Sequence, residues 1–400
     1  MRFIEETWSS EKLGNLCKIT MGQSPSSKNY SKNSNDTILI QGNADLISGK
    51  IVPRIYTSEI TKLSYPGDII LTVRAPVGDL AINEFDSCIG RGVCSIKGNK
   101  FIYYYLESLK DKHVWERLSQ GSTFESVNSN DIKNLNLKIP SNSTQNHIIN
   151  FFTAIDTKIE LLQKKHGEYI RFKQYLMQNI FADKSAEKLR FADSDSCWKE
   201  ISLKDIGTFY RGHSYNSTNV ADEGLLVLRS NNIQGNVLDF SEDGLQFVDK
   251  DCKKELELQK NDIVICMSNG TRRLVGKSAE YTGNYENKVT VGAFCSIFRT
   301  ENKLAKYLFQ TESYKKNLYL ILAGTNINNL KNSDLEKFKF NIPTNESEIN
   351  KIHDLFVSID NKIDYNKKQL EEITLFKKGL LQQMFVVQLI LSLLQNKKHI

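Results

Sequence analysis

The chain has seven cysteines (Cys17, Cys88, Cys94, Cys197, Cys252, Cys266 and Cys295) and not one C-x-x-C pair among them. An odd, scattered set supports neither a disulfide framework nor a zinc knuckle, and it reads as reduced core thiols. No apolar run approaches the roughly 18 residues of a membrane span, and "MRFIEETWSSEKLG" lacks the charged start and apolar stretch of a secretory signal. A cytoplasmic protein without membrane contact is expected. No Walker A loop occurs, and "GRGVCS" (90 to 95) places Ser95 where a dinucleotide loop needs its third glycine. The six histidines form no H-E-x-x-H pair, so no metal site is expected. No Asn/Asp-Pro-Pro-aromatic tetrapeptide of the amino-methyltransferases is present. "ENK" (301 to 303), half of a nuclease motif, lacks a preceding Pro-Asp and reads as a solvated turn. Neither catalytic residues nor a cofactor are expected in this chain.

What is present is ordinary globular material in a quantity that exceeds one core. Four hundred residues with 40% apolar and 25% charged side chains imply two or more domains. Lys+Arg 53 against Asp+Glu 47 leaves a formal +6, which permits nucleic-acid binding without requiring it.

The chain is written twice. Trp8, Leu13, Leu16, Gly22 and Ser24 recur at one offset as Trp198, Leu203, Ile206, Gly212 and Ser214. "GDIILT" (67 to 72) returns as "NDIVIC" (261 to 266), "CSI" at 94 as "CSI" at 295, and "GST" at 121 as "GTN" at 324. "NSNDIKNLNLKIP" (128 to 140) returns as "KNSDLEKFKFNIP" (331 to 343), and "AIDTKI" (154 to 159) as "SIDNKI" (358 to 363). Each half begins with short β-type runs and turns and ends in a long helical stretch. The boundaries expected are 1–143 and 191–344 for two similar mixed α/β domains, with helical spacers at 144–190 and 345–400. The fold class is α+β with a pseudo-two-fold repeat.

In the first helical stretch apolar residues fall at Ile148, Phe152, Ile155 and Ile159, with polar breaks at His166 and Lys173 that keep the phase. In the second they fall at Ile352, Phe356, Ile359 and Ile363. Such a seam needs a partner, and the other copy is the obvious one, so an antiparallel coiled coil is expected over separate packing of each helix on its own domain. Asp156 and Asp360 are expected to cap, to pair with Lys158 and Lys362, or to contact a partner subunit, with pairing at short helical range the plainest choice. "VVQLILSLLQNKKHI" at the end has no counterpart after Phe181.

Two variable domains, each followed by a helix bearing the "SID-x-KI" phrase, resemble the specificity subunit of type I restriction-modification enzymes. The resemblance runs to about Phe385 and rests on the whole ordered, duplicated set of phrases above. It implies a non-catalytic subunit whose two target-recognition domains each read half of an asymmetric, bipartite double-stranded DNA sequence. It also implies that the helices dock two methyltransferase subunits, and that motor-nuclease subunits join the complex. S-adenosylmethionine, ATP and Mg would then belong to those partners. A related two-subunit methylating endonuclease shares this plan, and a coiled-coil protein-interaction scaffold is the rival of another class.

Candidate readers are Arg74 and Arg91 in the first domain and Arg211, Arg229, Arg272 and Arg273 in the second, since bidentate Arg is the commonest guanine contact. Gln23, Ser24 and Asn43 in the first domain, with Ser214, Asn231 and Asn232 in the second, either face DNA or hold turns. Trp8 and Trp198, placed alike in both halves, are expected to be scaffold. A helix from Gln145 to Ala182 would span roughly 57 Å, enough to hold half-sites roughly 34 to 36 Å apart.

Overall fold

The repeated "GD" and "ND" dipeptides explain why both halves fold alike. Gly67 and Asn261 take left-handed backbone at φ +92° and +74°, which Gly adopts freely and Asn tolerates. The aspartate that follows closes the turn: Asp68 Oδ2 accepts from Tyr65 N at 3.0 Å, and Asp262 Oδ2 from Gln259 N at 2.8 Å. Each turn launches a fully buried central strand, Ile69–Thr72 or Ile263–Cys266.

The computed structural model describes residues 8–110, 114–119, 126–181, 189, 191, 198–324 and 328–396, of which 116, 117, 119 and 386–396 by backbone alone. "GST" and most of "GTN", like Cys197, lie outside these. In the first domain Ile69–Thr72 belongs to a six-stranded sheet ordered Lys18–Met21, Val93–Lys97, Ile69–Thr72, Leu80–Ile82, Lys50–Ile51, Leu46–Ile47. In the second, Thr208–Arg211, Cys295–Arg299, Ile263–Cys266 and Ser278–Glu280 repeat that order, and the hairpin Ile233–Gln234 with Val237–Leu238 stands beside them as its own ribbon. A second sheet is also duplicated. Tyr30–Ser31, Tyr56–Thr57, Thr37–Ile40, Ser87–Ile89 and Leu63–Ser64 correspond to Val220–Ala221, Phe247–Val248, Leu225–Leu228 and Val289–Val291, which lack a counterpart to the last strand among the described residues. Each domain is closed by an antiparallel pair between its first and last strands: Ser9–Lys12 with Asn136–Ile139, and Trp198–Ser202 with Lys339–Pro343.

The ladders correct one match read from the letters. Cys94 opposes Leu71 while Ser296 opposes Ile265, so Ser296, not Cys295, is the counterpart of Cys94. The two "CSI" triplets are one residue out of register. Gly90 then matches Gly292, and each faces the repeated glycine of its own domain. A Cβ on Gly22 or Gly212 would run into the carbonyl of Gly90 or Gly292 respectively. These glycines serve backbone packing.

The long helices are Asn142–Ile180 and Glu346–Asn396, the latter continuing unbroken past Phe385. Contacts divide the chain differently from the boundaries expected. One unit comprises Met1–Lys164 with Asn366–Ile400, the other Lys165–Tyr365, so each helix is shared between two units. The reason is where the apolar faces go. Ile148, Phe152 and Ile155 are buried in the first unit with Leu381 and Phe385, and Ile159 packs against that core. Ile352, Phe356 and Ile359 are buried in the second with Leu176, Met177, Ile180 and Phe181, and Ile363 packs against them. The expected seam is thus corrected: the two quartets do not line one another, and each meets the far end of the other helix. Each also packs on its own domain, so the two fates weighed for these faces both occur. Within each unit the helical segments run antiparallel, because Phe152 meets Phe385 while Asp156 meets Lys377, and Phe356 meets Phe181 while Asp360 meets Lys173.

The short-range pairing expected for the repeated aspartates is also corrected. Lys377 Nζ sits 2.8 Å from Asp156 Oδ1 and from Glu107 Oε2, and 5.4 Å over the Tyr104 ring, whose hydroxyl donates to Asp156 Oδ2 at 2.8 Å. The other unit repeats it: Lys173 Nζ lies 2.7 Å from Asp360 Oδ1, 3.2 Å from Gln310 Oε1 and 5.5 Å over Tyr307, whose hydroxyl donates to Asp360. Burial alone would lower the Lys377 ammonium, but the Glu107 and Asp156 carboxylates outweigh it and hold its pKa above the ordinary value. The polar break noticed at Lys173 is therefore the cation of a network. Lys158 and Lys362 are exposed and have no part in it.

Both repeated tryptophans serve the scaffold. Trp8 is buried with its ring 6.0 Å from Phe101 and 6.2 Å from Phe385, and Trp198 donates Nε1 to Glu348 Oε2 at 3.1 Å. Cys17, Cys88, Cys94, Cys266 and Cys295 are buried free thiols, and burial pushes Cys94 and Cys295 up to about 12. "ENK" is a turn in which Asn302 Oδ1 holds Leu304 N and Lys303 donates to Asn350. Among the described residues no helix is long and apolar enough to cross a membrane.

Candidate nucleic-acid interface

In each domain the loops beyond the strand ends are tied into one cluster by backbone bonds. In the first, Val73 N donates to Gly92 O at 2.9 Å, Gly90 N to Ile40 O at 2.8 Å, Gln23 N to Ile89 O at 2.9 Å, and Arg74 bridges Ser126. In the second, Met267 N donates to Phe294 O at 2.8 Å, Gly292 N to Leu228 O at 2.9 Å, His213 N to Val291 O at 2.7 Å, and Ser268 bridges Asn329. The two clusters are one backbone design built twice.

Most candidates gather here. Arg74, Arg91, Gln23 and Asn43 are exposed in the first cluster, and Arg211, Ser214, Arg229, Asn231, Arg272 and Arg273 in the second. Arg272 and Arg273 ride on the one-turn helix Arg272–Leu274. Ser24 holds the loop, its Oγ accepting from Arg91 N at 3.1 Å, and the Ser214 carbonyl accepts from Lys250 Nζ at 2.8 Å. Asn231 Nδ2 donates to Gly244 O at 3.2 Å.

Asn232 is a correction. It is 2% exposed, its Oδ1 accepts from Arg229 N at 2.9 Å, and its Nδ2 donates to Asp239 O and Gly244 O. With its amide fully engaged it builds the loop. Its counterpart is Asp45, whose Oδ2 accepts from Gln41 N and Gly42 N, so Asn43 corresponds to Ser230 and not to an asparagine.

The scaffold is common and the surface side chains are not. From the strand ends Thr72 and Cys266 the chain returns at Gly78 and Gly276, both in left-handed backbone, after five residues in one domain and nine in the other. The extra length in the second domain carries Arg272 and Arg273. Arg91 and Gly92 in one tip stand where Ala293 and Phe294 stand in the other. Sequence reading missed Phe294 because the false "CSI" register hid its correspondence to Gly92. It also missed His213, the counterpart of Gln23. His213 is buried, stacked 6.4 Å from Tyr215, and held below the usual histidine range by burial and by the Lys250 charge.

The model of the type I restriction modification DNA specificity domain matches this chain twice, over residues 5–168 and 195–375. The chain belongs to that family. The two matches contain the two loop clusters. The chain is 36% identical over 191 residues to a Methanocaldococcus jannaschii protein named as the MjaX specificity subunit of a type I restriction enzyme, covering 45% of this chain and 44% of that one. It is 30% identical over 185 residues to the StySPI specificity subunit of Salmonella potsdam, covering 44% and 39%. The aligned stretch thus spans less than half the length of these curated relatives. In fold, the chain resembles the crystal structure of a type I restriction-modification S subunit from M. genitalium, with a TM-score of 0.61 at 18% identity over 96% of this chain and 98% of that one.

Proposed function

We propose that this chain is a non-catalytic DNA-specificity subunit in which each domain reads one half of an asymmetric bipartite sequence. The observation that carries the reading is the duplicated loop cluster: identical backbone ties, with different exposed side chains at corresponding tips. A scaffold kept constant while its outward residues differ suits a pair of readers for two different half-sites. Six exposed arginines in these clusters supply the phosphate and guanine chemistry. S-adenosylmethionine, ATP and Mg belong, in this reading, to partner subunits, and this chain supplies no reacting group.

The helices would dock two methyltransferase subunits and, through them, motor-nuclease subunits. Leu161 and Phe376 in one unit, and Tyr365 and Phe172 in the other, occupy equivalent repeat positions and are each at least half exposed. Repeated apolar residues left in solvent on both units fit two copies of one partner.

The deciding experiment maps methylated adenine in DNA from a host expressing this chain with its candidate methyltransferase, against the methyltransferase alone. A new bipartite motif found only with this chain is expected; its absence from an assembled complex would remove the reading and favour a protein-interaction scaffold. Two further outcomes follow. Arg272→Ala and Arg273→Ala should each weaken binding to all sequences alike and reduce the salt slope by about one, if they hold phosphates; a base-dependent loss at constant slope contradicts that assignment. Inserting one heptad in both helices, after Lys164 and after Tyr365, preserves both ion networks and adds about 10 Å. The unspecified spacer should lengthen by about three base pairs with the half-site bases unchanged, and an unaltered spacer would sink the ruler role.

A further inference from the structure

Phe294 is 71% exposed, yet its backbone is among the best anchored in its cluster: its carbonyl accepts from Met267 N at 2.8 Å and from Ser268 N at 3.2 Å. The side chain therefore projects from a fixed platform, the arrangement that lets an aromatic group bind without a large ordering cost. Polar groups surround that platform. Asn269, next to Ser268, donates Nδ2 to Ser230 Oγ at 3.0 Å, and its backbone N reaches Asn328 O.

The counterpart in the first domain makes the point sharper. Gly92 holds Val73 N with the same carbonyl, but a Cβ there would run into the Gln41 carbonyl oxygen, so no side chain fits. At that tip the neighbouring Arg91 is the outward residue, and in the second domain its place is taken by Ala293. One reader thus ends in a guanidinium and the other in a phenyl ring on the same backbone. A residue kept for the scaffold would be apolar and buried in both halves, as Leu13 and Leu203 are.

We propose that Phe294 is a specificity-determining residue of the second domain, making an apolar contact with base rather than phosphate. DNA offers such a ring two apolar surfaces, the thymine methyl in the major groove and the face of a base at an opened step. This rests on the DNA-reading function proposed above, and it adds which side chain discriminates and by what chemistry.

The test uses the full chain assembled with its methyltransferase, a duplex carrying the methylation motif, and a duplex scrambled in the second half-site, each titrated across a salt series. Phe294→Ala should lose roughly ten-fold in affinity for the motif duplex, the size of one base–aromatic contact. Its affinity for the scrambled duplex and its salt slope should stay as in the unmodified chain, because no counterion is released by a phenyl ring. Phe294→Leu should retain most of the affinity. Replacing the second half-site's thymines by uracil locates the contact: a matching loss in the unmodified chain, absent in Phe294→Ala, places it on the methyl, and no loss places it on a base face. Melting of the variant should match that of the unmodified chain, given the ring's exposure. An affinity within two-fold, or an equal loss on both duplexes, overturns the assignment of Phe294. Failure of the unmodified complex to tell the duplexes apart overturns the DNA-reading function itself.

Discussion

Phe385→Ala is expected to cost about 3–5 kcal/mol, the usual price of truncating a fully buried phenylalanine, and the loss should fall on the first domain. Phe385 has no exposed surface and packs against Tyr105 at 4.9 Å, Phe101 at 5.6 Å, Trp8 at 6.2 Å and Phe152 at 6.5 Å between ring centroids. More than two hundred residues separate it in sequence from each of these partners, but they form one core. Hydrogen exchange resolves the effect: amides of Ile69–Thr72 and Val93–Lys97 should lose protection while those of Ile263–Cys266 keep it. Uniform loss across both units, or none, contradicts the partition of cores. Truncation after Tyr365 should go further, since it removes Lys377, Leu381 and Phe385 together. A fragment ending at Tyr365 that retained a cooperative first-domain transition would show that the C-terminal helix is dispensable to that core.

Lys377→Ala is the second large effect. It removes the cation that the structure sets between Glu107 and Asp156, and Lys377 has a side chain only 11% exposed. Breaking a buried pair by removing one member costs about 3–5 kcal/mol, much of it the penalty of leaving charge uncompensated. Lys173→Ala, at the equivalent place in the other unit, should cost less, because among the described residues Asp360 is the one carboxylate it meets and Gln310 stands where Glu107 does. Denaturant titration should rank the two in that order. Adding Glu107→Gln to Lys377→Ala should recover part of the loss, since one of the two carboxylates that faced the ammonium becomes neutral. Equal losses for the two lysines, or no recovery, would mean that packing of the long lysine stems dominates over charge. The raised Lys377 pKa keeps the ammonium's contribution intact at neutral pH, and that contribution fades as pH rises through the folded value.

Much of the architecture was legible because duplication writes the same physics twice. The left-handed residue and the turn-closing aspartate in "GDIIL" and "NDIVI", and the strand ends "KIP" and "NIP", are local devices that can be read from adjacent letters. The helical phase around Ile148 and Ile352 is local too. Register was less legible: "CSI" matches "CSI" by chance one residue off the true ladder, and only cross-strand pairing exposes the slip. Asn43 and Asn232 share a letter without sharing a place, since the aspartate Asp45 holds the position of Asn232. Composition marks loops, but it does not distinguish an amide pointing outward from one bonded on all sides.

The sequence by itself determined that there are two copies of one mixed α/β domain, that a long amphipathic helix follows each, and which family the ordered phrases resemble. Those are properties of periodicity and repetition along the chain. Only the tertiary structure decided that each helix serves two cores, that Asp156 and Asp360 answer Lys377 and Lys173 and not their own neighbours, and that Arg91 and Phe294 crown equivalent tips. Antiparallel pairing brings together residues hundreds of positions apart. An apolar or charged side chain specifies the kind of partner it needs and not which distant one, so that choice is made when the whole chain packs.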